Sequence, residues 1–168
     1  FTNGYDISGT VYTDEGVTNI GTGKTVNVLV NGVTVGNDDT DASGNYSVTG
    51  VTVVAGDVVT VFLDGETEDG VTFAMNDGAN MTGLNIYQDH AMVLDADDTL
   101  TMANINTGND GDADIITIIT DAASGVIQVG KELYIGTATT FAPGAALDSN
   151  GSIEIISGAT LNAAANAV

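Results

Sequence analysis

A repeat in the C-terminal quarter constrains this chain more than any other feature. Val129-Gly130-Lys131-Glu132-Leu133 is echoed by Pro143-Gly144-Ala145-Ala146-Leu147 and again by Ser157-Gly158-Ala159-Thr160-Leu161. From Gly to Gly and from Leu to Leu the step is 14 residues both times. A fixed period of this kind means stacked β units that reuse one turn. Such units bury a core only by touching a neighbour, in the same chain or in another copy. Fourteen residues is short for a three-sided coil, and a two-sided coil or a simple hairpin meander fits the spacing as well as a short solenoid does. It directs the reading toward a structural, assembling protein.

The charge balance narrows the partners. Of 168 residues, 23 are acidic and two, Lys24 and Lys131, are basic; there is no Arg, and the net charge is −21. Such a chain repels nucleic acid and anionic membrane surfaces. Eighteen of the acids are Asp, a residue of turns rather than helix interiors. With 22 Gly, one Pro and many Val and Thr, this composition predicts an all-β fold with no helix beyond about two turns. There is no Cys, so disulfides contribute nothing. No run of 18 apolar residues is present, so no membrane insertion is expected. The chain opens on Phe1-Thr2-Asn3, which reads as a mature product with its export signal removed. Few Lys and Arg leave trypsin-like proteases almost no sites, which suits an extracellular or cell-surface protein.

Residues 1–75 read as a β-sandwich of short, regularly spaced strands. The strands are Ile7–Tyr12, Thr25–Val30, Val33–Val35, Tyr46–Val48, Val51–Val54 and Asp57–Leu63. Asn31-Gly32 between two apolar runs is a strong hairpin signal, because a type I′ turn needs positive φ twice. Val58, Thr60 and Phe62 oppose Val59, Val61 and Leu63, so this run has no polar face and belongs centrally in a sheet. Residues 76–168 read as a second β-rich region. Strands are expected in 83–95 (GLNIYQDHAMVLD) and 113–121 (ADIITIITD), with the 14-residue repeat at 129–161. The tail Leu161–Val168 is apolar and uncharged, and too short for a stable helix of its own.

The pattern ISGTVYTDEG…TVNVLVNG…TDASGNYSVTGV…AGDVVTVFLDG resembles the carboxypeptidase-regulatory-like and B-type surface-repeat domains. The residues that carry the resemblance are Ile7, Gly9, Val11, Asp41, Gly44, Tyr46, Ala55, Gly56 and Asp57. It implies an Ig-like β-sandwich of the kind found as stalks in secreted proteins, and it says little about activity. Some B-type domains form a Lys–Asn isopeptide bond. Lys24 is the only lysine in this half, and no acid and Asn set stands out beside it. The final 43 residues resemble the repetitive stretches of large secreted adhesins and surface-layer proteins.

No catalytic constellation emerges, and an enzyme is not expected. The single His, His90, has Asp89 beside it, which on a strand would point to the opposite face. One His without Cys argues against a zinc site. The leading candidate site is Asn109-Asp110-Gly111-Asp112-Ala113-Asp114, where Asp110, Asp112 and Asp114 are spaced as hard oxygen ligands for calcium. It lacks the Glu that completes an EF-hand; position 121, at the next best place, is Asp. Asp38, Asp39, Asp41 and Asn45 form a second acidic group, and Asp95, Asp97 and Asp98 a third.

The sequence therefore points to a secreted structural subunit that self-assembles into an extracellular filament or surface layer by β-strand exchange. Its partner would be itself, a homopolymer. The alternative is an adhesin or binding module of a larger secreted protein, with a glycan or protein ligand. The segments suited to donation are Phe1–Tyr12 and Ile153–Val168, since neither carries the edge lysines that discourage strand addition.

Overall fold

The structure, a computed structural model, describes residues 4–95, 98–120, 125–128 and 130–163. The fold is all β with two short helices. Its first part contains β1 (Tyr5–Tyr12), β2 (Thr25–Val30), β3 (Val33–Asp39), β4 (Asn45–Val51), β5 (Val58–Leu63) and β6 (Val71–Met75). The β2–β3 turn is the expected hairpin: Asn31 and Gly32 have φ of 50° and 74°, and Val30 pairs with Val33. Strands β2, β5 and β6 then pair antiparallel in that order. All six residues of β5 are buried, because both faces of its sheet are covered. One expected strand is shorter than read. Val51 closes β4, and Thr52–Val54 lie outside any strand. The turn over Ala55-Gly56 takes the Val54 main chain instead, with Val54 N–H donating to Asp57 Oδ2 and Asp57 N–H to Val54 C=O.

A smaller sheet covers one face. Here β1 runs between antiparallel β4 and two parallel strands, β7 (Met81–Thr82) and β8 (Ile86–Tyr87). Ile7, Val11, Tyr46 and Val48 from this layer meet Val26, Val28, Val59, Val61 and Leu63 of the larger one. The buried Tyr46 hydroxyl fixes the layer by donating to Leu84 C=O at 2.5 Å. The run 83–95, expected as one strand, is two. It breaks at Asp89, whose φ of 64° turns the chain out of the small sheet (β8) and into the large one as β9 (His90–Val93).

The large sheet crosses the boundary between the two regions named above. Strand β6 pairs parallel with β9, β9 with β12 (Glu132–Ile135), and β12 with β15 (Ser152–Ile155). The result is one seven-stranded sheet, β15-β12-β9-β6-β5-β2-β3. Two further parallel ladders flank its C-terminal half. One joins β10 (Thr99–Leu100), β13 (Thr140–Phe141) and β16 (Thr160–Leu161); the other joins β11 (Gly125–Ile127) and β14 (Leu147–Ser149).

Three ladders make a three-sided coil, which corrects the two-sided or meander expectation. Leu133 pairs with Ile153, Phe141 with Leu161 and Gly125 with Leu147, so a coil takes 20 to 22 residues. The 14-residue motif marks corners rather than coils. Gly130, Gly144 and Gly158, all at positive φ, open β12, β14 and β16, and those strands lie on three different ladders.

The segment between β10 and β11 is the main departure from expectation. Residues 102–108 form α1 (Met102–Gly108), and α2 (Ala113–Ile116) occupies the start of the 113–121 run read as a strand. The physical reason is period. Ile115, Ile118 and Ile119 are buried while Ile116 and Thr117 are exposed, a spacing of three and four rather than two. Thr101 caps α1: its Oγ1 accepts from Asn104 N–H, and Asn104 Oδ1 accepts from Thr101 N–H. The helices seal the face of β5 and β6 that the small sheet leaves open. Met102, Ile105, Ile115, Ile118 and Ile119 pack with Phe62, Phe73, Leu133, Ile135 and Phe141 in one core. Asp97, Asp121, Phe1–Asn3 and 164–168 lie outside the described residues.

Candidate functional site

The three acidic groups of the sequence have different fates. Around α2, Asp110 Oδ1 accepts from Asp112 N–H, and Asp112 Oδ1 accepts from Asp114 N–H, so Asp112 is the helix N-cap. Asp114 Oδ2 accepts from Gly65 N–H at 2.6 Å and ties α2 to the end of β5. Carboxylate oxygens of Asp112 and Asp114 converge with one from Asp64, all within 4.8 Å of one another. Asp110, the third residue expected there, is exposed and stands outside that trio. Asp64 is the member that spacing could not reveal, since 48 residues separate it from Asp112. Burial, then the charge of Asp112, raises its carboxyl above the ordinary range, against a bond donated by Asn27 Nδ2. Asn27 is more than nine-tenths buried, and its Oδ1 has no partner.

The other two groups hold main chain. Asp41 Oδ1 accepts from the N–H groups of Ser43 and Asn45, bonds that lower its carboxyl pKa, and Asp38 Oδ2 accepts from Ser47 N–H. Asp95, buried, accepts from Met75 N–H and from Asp98 N–H.

A second convergence forms around His90, on the outer face of the long sheet. His90, Glu132 and Ser152 open β9, β12 and β15 and stand in register, so their side chains share a face. Glu15 reaches the same place from the loop after β1. That loop is fixed by Asp14, whose Oδ1 accepts from the N–H groups of Val17 and Thr18. His90 Nε2 lies 3.8 Å from Glu132 Oε1 and 3.9 Å from Glu15 Oε1. Tyr87 and Tyr134 meet the imidazole edge to face. Glu154, in register with Tyr134, stands beside the group; partial burial, then Glu15 and Glu132, raise its carboxyl. In the sequence these residues are scattered and show no motif. Only the strand register, invisible before folding, aligns them.

The third feature is the last coil. Three apolar ladders run along the interior: Phe73, Val93, Ile135, Ile155; Val71, Ala91, Leu133, Ile153; and Leu100, Phe141, Leu161. Every member is buried up to the β12–β14 coil. In the final coil Ile155 is 47% exposed, and Ile153 and Leu161 are half-buried. Among the described residues β15 pairs with β12 alone and β16 with β13 alone. No helix among the described residues is long and apolar enough to cross a membrane. No protein-family model and no curated protein matches the sequence.

Proposed function

We propose that the protein is a secreted structural subunit that assembles with copies of itself, on the outside of the cell, by adding strands to the open coil. The observation that carries this reading is the exposure, among the described residues, of the last members of the apolar ladders. Ile153, Ile155 and Leu161 occupy inward positions whose counterparts one coil earlier are fully buried. A repeat stack left open at one end favours a further unit, and the unpaired side of β15 is a template for one. Contact between two different surfaces of a subunit propagates into a fibre rather than closing as a dimer. The sandwich layers, including the Ig-like arrangement that the 5–75 pattern resembles, would serve as the rigid body carried along such a fibre.

Of the two candidate donor segments, the C-terminal one is favoured in its part beyond Leu161, since the strands up to Leu161 pair with β12 and β13 and form the accepting coil. Tyr5–Tyr12 is already hydrogen-bonded on both edges in its own sheet, and Ile7 and Val11 are fully buried there. Withdrawing them would expose that core. Calcium belongs to the reading as an accessory at Asp64, Asp112 and Asp114, where oxygen-only ligands face one another beside the buried Asn27 amide. A chelator should then lower Tm, and Asp112→Asn should remove that response.

Negative-stain microscopy with size-exclusion chromatography tests the assembly. Deleting Leu161–Val168 is expected to abolish fibres, and deleting Phe1–Gly4 to leave them. A ligand-binding monomer that never polymerises would support the adhesin reading instead.

A further inference from the structure

We propose that Glu15, His90 and Glu132 form a binding site for a divalent transition-metal ion of the zinc class, which staples the Asp14–Thr18 loop to the long sheet. The inference is independent of the assembly reading.

Three observations carry it. The first is the state of the imidazole. His90 Nδ1 lies 2.5 Å from Gln88 C=O, and a carbonyl only accepts, so Nδ1 carries the proton. In the neutral imidazole Nε2 then presents its lone pair, and among the described residues it is buried without a hydrogen-bond partner. A backbone carbonyl on the far nitrogen is the arrangement that orients metal-binding histidines.

The second is the opposing oxygen. Ser152 Oγ donates to Glu132 Oε2 at 2.5 Å, which fixes the carboxylate and leaves Oε1 toward Nε2. That Oε1 is also buried and unpartnered. At 3.8 and 3.9 Å the two nitrogen–oxygen separations are too long for hydrogen bonds. Two ligand atoms each ~2.1 Å from a tetrahedral ion stand ~3.4 Å apart, so a slight contraction seats one.

The third is charge. Glu15, Glu132 and Glu154 crowd one imidazole, and the chain has only two other cationic side chains. Both are engaged elsewhere. Lys24 Nζ contacts Glu66 and Glu68, and Lys131 Nζ contacts Asp69 and Asp89. Neither lysine reaches this group, so a divalent ion from solution would supply positive charge to it. A mixed nitrogen and oxygen donor set selects zinc-like ions over calcium and magnesium, which take oxygen alone.

The test is calorimetric titration of the full chain, stripped with chelator and desalted, with zinc chloride. One equivalent of tight zinc and a rise in Tm are expected, with neither calcium nor magnesium at equal concentration displacing it. Cobalt(II) should give visible d–d absorption. His90→Gln and Glu132→Gln should weaken zinc more than the about 10–100-fold that loss of an outer-shell partner causes. Glu15→Gln, on a half-exposed side chain that the fold does not need, should weaken it and fold normally. Asp112→Asn should leave zinc binding unchanged, which separates this site from the acidic trio. Zinc binding equal in wild type, His90→Gln and Glu15→Gln, or displaced by calcium, overturns the proposal.

Discussion

Ile135 and Ile155 occupy equivalent places one coil apart, yet the first is fully buried and the second is about half exposed. Substituting each tests whether the last described coil differs in burial from the one before it. Ile135→Ala removes a side chain from the closed core and should cost ~2–5 kcal/mol of folding stability. At Ile155 roughly half of the ~1.5–3 kcal/mol of full burial remains to be gained, so Ile155→Ala should cost only about 1 kcal/mol. Ile155→Asp should likewise leave the monomer folded, since water reaches the site. In an assembled coil the same Asp would be covered, and a buried unpaired carboxylate costs at least several kcal/mol. Each ~1.4 kcal/mol is tenfold in affinity, so the concentration needed for assembly should rise more than about 100-fold. Urea denaturation measures the first quantity; sedimentation and electron microscopy measure the second. The reasoning fails if Ile155→Asp polymerises at the wild-type concentration, or if Ile155→Ala destabilises the monomer as much as Ile135→Ala does.

The core of the helix-covered side supplies two further expectations. Gly108→Ala would place a Cβ 2.5 Å from Thr60 Oγ1 and 2.8 Å from Val58 Cγ1, so α1 must lift, at about 1–3 kcal/mol by thermal or urea melting. Thr60 is wholly buried and its hydroxyl has no partner, so Thr60→Val should be neutral or stabilise by about 1 kcal/mol on the same assay. Tyr46→Phe should cost ~1–3 kcal/mol, because it leaves Leu84 C=O buried without its donor; full stability by urea titration would contradict that. Asp64 has a folded-state pKa above its unfolded one, so its contribution favours the fold at low pH and is lost as pH rises through the folded pKa. Asp64→Asn should therefore raise Tm at neutral pH without calcium, with the gain vanishing below about pH 3. A gain that persists at acid pH would place its cause elsewhere.

Much of the fold was legible because it rests on local pattern. The Asn31-Gly32 hairpin and the doubly buried β5 follow from turn chemistry and from an apolar run with no polar face. The errors have a common physical origin. A Gly-containing corner looks the same wherever it occurs, so a period of 14 was visible while the coil of 20 to 22 was not. The coil becomes apparent only when Leu133 is set beside Ile153 and Phe141 beside Leu161. Ile115, Ile118 and Ile119 sit in a stretch of Ile and Thr whose composition favours a strand; tertiary packing against β5 and β6 selects the helix. The acidic site was half legible. Asp112 and Asp114 are neighbours in sequence, whereas Asp64 arrives through the end of β5. Glu15, His90 and Glu132 left no local trace at all.

The same topology explains why the two ends of the long sheet differ. At the β3 end one bond reaches the small sheet, Asp38 on β3 accepting from Ser47 N–H on β4, while most of β3, Val33 and Val35 included, is exposed. Along the middle, α1 and α2 fill the space that a further coil would occupy, and Gly108 allows α1 to lie directly on Thr60 and Val58. Neither device recurs at β15, where Ser152–Ile155 has one partner strand and Ile155 faces water among the described residues. The two edges are unlike, β3 being paired antiparallel and β15 parallel, so the sheet has a direction. Copies that meet through two unlike surfaces, one of them the β15 edge, would build a polar fibre. A fibre built in this way should elongate at different rates from its two ends. Seeding wild-type protein with labelled short fibres and imaging the extensions would reveal that polarity, and equal growth at both ends would contradict it.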